Sequence, residues 1–104
     1  MLKSVYLSLG SNVGNREANL RAAIERLRVI GTVTALSAFY ETEPVEFTAQ
    51  PWFLNCAVLL ETEKMPRQLL KALLDVEHEM GYAIQSCLDG GVGASFQHHY
   101  GTRS

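Results

Sequence analysis

Between Phe53 and Glu63 the chain is apolar at consecutive positions, Cys56-Ala57-Val58-Leu59-Leu60. A strand that is apolar on both faces needs cover on both, so this run predicts a central position in a sheet. The rest of the chain has to be arranged around it. Val5-Tyr6-Leu7-Ser8-Leu9 alternates and mixes branched with aromatic residues, which predicts a first strand. Gly10-Ser11-Asn12-Val13-Gly14-Asn15 breaks it with turn-forming residues. Asn15 is placed to cap a helix over 16–30, with Glu17 favourable at its positive end. Leu20, Ala23, Ile24 and Leu27 recur there at helical spacing, and arginines take the other face, read as solvated. Gly31 ends the helix in the manner of a left-handed cap. Residues 31–40 predict a second strand, with Val33, Ala35 and Phe39 facing inward.

Met65-Pro66 opens a second helix, where proline is tolerated in the first turn. Leu69, Leu70, Leu73, Val76 and Met80 form its buried stripe, and Gly81 closes it. The order is then β-α-β-β-α, five of the six elements of a ferredoxin-like α+β fold. The sixth, a strand beside the first, is the one the sequence does not supply. Tyr82-Ala83-Ile84 is too short, and Gly90-Gly91-Val92-Gly93 disfavours regular structure. The expectation is a final strand missing or replaced by an irregular tail, a domain over 1–81 with a poorly ordered 82–104, and a first strand left as an open edge.

At 104 residues the chain is one domain, 47% apolar and 19% charged, an ordinary globular composition. A net charge of −2 argues against general nucleic-acid binding, and no apolar run is long enough to span a membrane. Two cysteines, Cys56 and Cys87, without a disulfide pattern fit a reducing cytoplasm. Of the nine basic residues, eight precede position 72 and only Arg103 follows. The C-terminal third is therefore poorly equipped to hold a polyphosphate.

Between the second and third strands lies a segment bounded by Pro44 and Pro51. In it and on its flanks, from Tyr40 to Asn55, the aromatics Tyr40, Phe47, Trp52 and Phe53 sit among Thr42, Gln50 and Asn55. Apolar faces with amide and hydroxyl groups at the rim suit a flat, polar-edged heterocycle. On residue types alone, an ordinary hairpin connection whose aromatics close the core fits at least as well. The order of residues separates the two. Tyr6-Leu7-Ser8-Leu9-Gly10-Ser11-Asn12, Tyr40-Glu41-Thr42-Glu43-Pro44-Val45, Gln50-Pro51-Trp52-Phe53-Leu54-Asn55 with Glu61-Thr62, and Val76-Glu77-His78-Glu79-Met80-Gly81 together resemble 6-hydroxymethyl-7,8-dihydropterin pyrophosphokinase over residues 4–81.

That resemblance implies a ferredoxin-like fold and a folate-pathway transferase that moves diphosphate from ATP to a pterin alcohol, releasing AMP. It implies that Thr42, Pro44 and Val45 line the pterin pocket and that Phe53 stacks on the ring. Asn55 would read the ring's amide edge, since its side chain offers both donor and acceptor. A strand residue bonded to its neighbours is the other reading of Asn55. Glu77 would contribute to the nucleotide site, with an exposed helix carboxylate as its rival. Ser11 and Asn12 would shape the turn beside the pocket.

The resemblance also implies two Mg²⁺ ions on an Asp-x-Asp motif at the start of the last strand, and an Arg-rich loop with a Trp closing over ATP. Neither occurs. After Gly81 the chain reads Tyr82-Ala83-Ile84-Gln85, and its aspartates are Asp75 and Asp89 alone. No catalytic residue or metal ligand is identified, and the abrupt break looks like a truncation or frame change. His98-His99 with Asp89 reads as polar tail, not a metal site. The glycine cluster lacks the Lys-Ser/Thr of a phosphate loop. The expectation is an impaired diphosphotransferase with its pterin half present. The alternative is a non-catalytic module that binds pterin or forms a strand-mediated dimer through its open edge.

Overall fold

The computed structural model describes residues 1–43 and 51–88. It contains β1 (Lys3–Ser11), α1 (Arg16–Ile30), β2 (Thr32–Leu36), β3 (Tyr40–Thr42), β4 (Phe53–Thr62), α2 (Pro66–Glu79) and β5 (Gln85–Leu88). The sheet order is β2-β4-β1-β5, with β3 also on β4, and every pairing is antiparallel. This is the open sheet with two helices expected of a ferredoxin-like α+β fold. The doubly apolar run lies inside it, flanked by β1 on one side and by β2 and β3 on the other.

The β1–β4 ladder is the longest, running without a break from Lys3↔Thr62 to Ser11↔Leu54. Its register sorts the side chains. Leu7 and Leu9 stand opposite Val58 and Cys56 on the face that meets the helices. Leu20, Ala23, Ile24 and Leu27 of α1 and Leu69 and Leu73 of α2 close over them, all buried. Leu70 and Met80 are half-buried and pack against that core. The arginines of α1 lie outside it, and Arg21 and Arg28 pair with Glu17 and Glu25 on the same helix. Asn15 caps α1 as expected, the Ala18 amide donating to its Oδ1 at 3.0 Å.

Three expectations are corrected. The first concerns the final strand. Gln85–Leu88 pairs with Leu7–Gly10 of β1, so the first strand is not an open edge there. Ile84, Ser86 and Leu88 are buried. Four residues suffice because α2 delivers them. The Gly81 amide donates to the His78 carbonyl and the Tyr82 amide to the Glu77 carbonyl, a Schellman closure with Gly81 at φ +62°. Tyr82 is left-handed too, at φ +62°, a conformation costing a non-glycine residue about 1–2 kcal/mol. Its hydroxyl meets His78 Nδ1 at 3.1 Å. Two successive left-handed residues turn the chain sharply back to the sheet.

The second correction concerns the second strand, which ends at Leu36 rather than Tyr40. An irregularity between Val33 and Ala35 shifts its register on β4. Val33 stays on the core side, whereas Ala35 is exposed. The chain re-enters the sheet as β3.

The third concerns Gly31, whose backbone is extended (φ −171°) and not left-handed. Its lack of a side chain serves close approach instead: a Cβ there would overlap the Glu61 carbonyl oxygen and crowd Thr62. Gly31→Ala is therefore expected to destabilise the fold by about 1–3 kcal/mol, through displacement of backbone against backbone. Urea unfolding of the two proteins measures this, and equal midpoints would contradict it.

Cys56 lies fully buried in β4, and burial pushes its thiol up from the ordinary 9.0 to about 11. The folded state thus resists ionisation that the unfolded chain undergoes near pH 9. This contribution is intact below pH 9 and is lost as pH rises through 11, amounting to about 3 kcal/mol. Unfolding at pH 8 and pH 10.5 should show a larger alkaline loss for the native sequence than for Cys56→Ala.

Candidate functional site

The face of the sheet turned away from the helices carries the candidate site. Phe53 and Asn55, two residues apart on β4, project to this side, and both are buried. They lie at the end of β4 where β3 is paired, with Thr42 opposite Phe53 and Tyr40 opposite Asn55. Asn55 Nδ2 donates to Thr42 Oγ1 at 2.8 Å and to the Tyr40 carbonyl at 3.3 Å. Thr42, Phe53 and Asn55 are thus brought together, an aromatic ring beside a carboxamide and a hydroxyl. The bonds to Thr42 and Tyr40 bear out the reading of Asn55 as a strand residue bonded to its neighbours. Pro44 and Val45 lie outside the described residues.

An arginine ties the hairpin base to α1. Arg16 Nη2 pairs with Glu41 Oε2 at 2.6 Å, and Nη1 donates to the Trp52 carbonyl at 3.0 Å. One guanidinium therefore joins both arms of the β3–β4 hairpin just outside Thr42 and Phe53. An exposed ion pair is worth little in stability, about 0–1 kcal/mol, but a planar fork holding two groups fixes their geometry. Periodicity assigns Arg16 to a solvated helix face, and no local signal shows that its partners are 25 and 36 residues away. Asn19 Nδ2 donates to Ser11 Oγ (3.1 Å), at the last residue of β1, and to the Val13 carbonyl (2.9 Å) in the turn that follows, tying both to α1.

Glu77 is not an exposed helix carboxylate. It is 3% exposed, and its Oε2 accepts from both the Ser86 amide (2.9 Å) and the Ser86 hydroxyl (2.6 Å). It reaches β5 from the helix side, where it locks the strand to α2.

β5 alternates in the same way. Ser86 and Leu88 face the helices, and Gln85 and Cys87 face the site, opposite Gly10 and Ser8 of β1. Among the described residues, no group of three or more His, Cys, Asp or Glu side chains is arranged to hold a metal ion. The groups at hand on β5 are an amide and a thiol, whereas Mg²⁺ takes hard oxygen ligands, carboxylates first. Asp75 lies on α2 and pairs with Lys71. The donor set on this strand does not fit Mg²⁺. Cys56 and Cys87 are both buried and neither forms a disulfide. Among the described residues, no helix is long and apolar enough to cross a membrane.

Comparison with known proteins follows the same outline. Residues 6–89 match the family model described as 7,8-dihydro-6-hydroxymethylpterin-pyrophosphokinase, a span that takes in β5. The chain is 45% identical over 89 residues to a 2-amino-4-hydroxy-6-hydroxymethyldihydropteridine pyrophosphokinase of Porphyromonas gingivalis, covering 85% of this chain and 59% of that protein. It is 44% identical over 78 residues to the protein of the same name from Bacillus subtilis, covering 73% of this chain and 47% of the relative. A folate synthesis bifunctional protein of Arabidopsis thaliana is 46% identical over 80 residues, 76% of this chain and 16% of the longer protein. The chain thus spans well under two thirds of these relatives.

Asn55→Leu removes the amide that Thr42 and Tyr40 share and leaves their acceptors facing an apolar group. A loss of about 1–3 kcal/mol in stability is expected. Thr42→Val, which keeps the strand's shape and preserves the Asn55 bond to Tyr40, should cost less. Thermal unfolding of both variants tests the ranking.

Proposed function

The chain belongs to the 7,8-dihydro-6-hydroxymethylpterin-pyrophosphokinase family, and from that premise we propose that it binds a pterin alcohol and transfers diphosphate poorly or not at all. One observation carries the binding half. Phe53 and Asn55 share the open face of β4, buried side by side, with Thr42 bonded to the carboxamide. In this reading Phe53 covers the ring, Asn55 meets its amide edge and Thr42 holds Asn55 in orientation. Pro44 and Val45 join this reading on the family resemblance alone.

The transfer half rests on different chemistry. Attack of the hydroxymethyl oxygen on the β-phosphorus of ATP, with AMP leaving, places charge on phosphate oxygens that fixed cations must meet. β5 presents Gln85 and Cys87 to the site in place of a pair of carboxylates. We therefore assign no step through Mg²⁺. Glu77, with one oxygen engaged by Ser86, serves the nucleotide side only indirectly, by seating β5. The non-catalytic pterin-binding module is the form of the alternative that this donor set favours. A strand-mediated dimer would have to form elsewhere than Leu7–Gly10, which β5 already pairs.

Calorimetric titration with 6-hydroxymethyl-7,8-dihydropterin, with and without Mg-ATP, is expected to show binding that the nucleotide leaves unchanged. AMP release should fall at least ~100-fold below that of a full-length relative, since losing even one group that stabilises transition-state charge costs that much. AMP formation at a comparable rate would overturn the impaired reading, and absence of pterin binding would overturn the pocket.

A further inference from the structure

The open face carries a polar atom that the fold does not satisfy. Gln85 begins β5, and its Oε1 is buried without a hydrogen-bond partner among the described residues. Buried acceptors are nearly always paired, because burial strips off water and an unpaired oxygen receives nothing in exchange. An acceptor held in this state is placed for a donor that the described residues do not provide.

Its position says where that donor belongs. Gly10 of β1 stands opposite Asn55 of β4 on one side and opposite Gln85 of β5 on the other. Residues directly opposed across antiparallel strands project from the same face, so two carboxamides flank a residue with no side chain. Adjacent strands lie about 4.8 Å apart, which sets the Asn55 and Gln85 backbones about 9.5 Å apart across a flat glycine floor. That span suits the long axis of a fused two-ring heterocycle bearing one substituent carbon.

Resting on the pterin-binding reading, we propose that Gln85 is a positioning residue for the pterin alcohol, its Oε1 accepting the hydrogen of the hydroxymethyl group. Asn55 Nδ2 is already committed to Thr42 and the Tyr40 carbonyl, so its Oδ1 is the atom that meets the N–H side of the ring's amide edge. The opposite end of the molecule then lies toward β5, where the hydroxyl is the donor and Gln85 Oε1 the waiting acceptor. A neutral amide performs this role without holding a cation. Selection for the alcohol therefore persists on a strand that presents no carboxylate to the site.

The test crosses two ligands with three proteins. The native chain, Gln85→Met and Gln85→Glu are titrated with 6-hydroxymethylpterin and with 6-methylpterin, which lacks only the hydroxyl. The native chain is expected to prefer the alcohol about tenfold, the scale of one buried hydrogen bond. Gln85→Met, of similar length but with no comparable acceptor, should lose the preference while binding 6-methylpterin as the native chain does, which also reports an intact pocket. Gln85→Glu, which keeps an acceptor oxygen, should retain it. A preference that survives in Gln85→Met, or that is absent from the native chain, overturns the assignment. Failure of the native chain to bind either pterin overturns the pterin reading itself and the Gln85 role with it.

Discussion

The β1–β4 ladder is the constraint on which the rest of the molecule depends. Its unbroken register from Lys3↔Thr62 to Ser11↔Leu54 decides which side chains face the helices and which face outward. A slip of one residue would exchange the two sets, placing Leu7, Leu9 and Val58 in the open and burying Ser8 and Asn55 under α1 and α2. The core enforces the register because only one arrangement puts the leucines of the sheet against those of the helices. The candidate site is the other product of the same alignment: wherever the core is correct, Phe53, Asn55 and Gly10 must lie together on the far side.

Around that ladder, polar contacts hold the site's flanks at both ends. Arg16 joins Glu41 and the Trp52 carbonyl, so the N-terminus of α1 holds the hairpin that carries Thr42 and Phe53. Glu77 joins the backbone and side chain of Ser86, so α2 holds β5. One bridge is exposed and mainly sets geometry. The other is buried, and its two hydrogen bonds to a carboxylate are of the stronger, charge-assisted kind. The sheet's open face is thereby framed by both helices although neither packs on it.

Family membership and the donor set on β5 point to different halves of one activity. Thr42, Phe53 and Asn55 bring an aromatic, a carboxamide and a hydroxyl together on one strand pair, the chemistry that the proposed ring recognition requires. The strand that would meet the phosphates offers an amide and a thiol. Transfer and recognition are separable in the proposed function because the two make unlike demands. Recognition of a neutral ring needs shape and a few paired hydrogen bonds, whereas phosphoryl chemistry needs concentrated positive charge held rigidly.

Much of this was legible along the chain. The helical stripe of Leu20, Ala23, Ile24 and Leu27, the Asn15 cap and the central character of 53–63 follow from local patterns, because periodicity and capping act over a few residues, whereas the grouping of Thr42, Phe53 and Asn55 was implied only by the family resemblance. What the chain alone did not determine was carried by contacts distant in sequence. Gln85–Leu88 has too short and too mixed a pattern to read as a strand, and it becomes one because β1 supplies the ladder, Glu77 the anchor and Gly81-Tyr82 the turn. Ala35 turned outward through a register shift that only the partner strand imposes. Gly31 looked like a left-handed cap and is instead the point where helix end and sheet backbone touch. The sequence determined which residues can pair and pack. Tertiary structure decided which oxygen of which carboxamide would be left without a partner, since that depends on every neighbour at once.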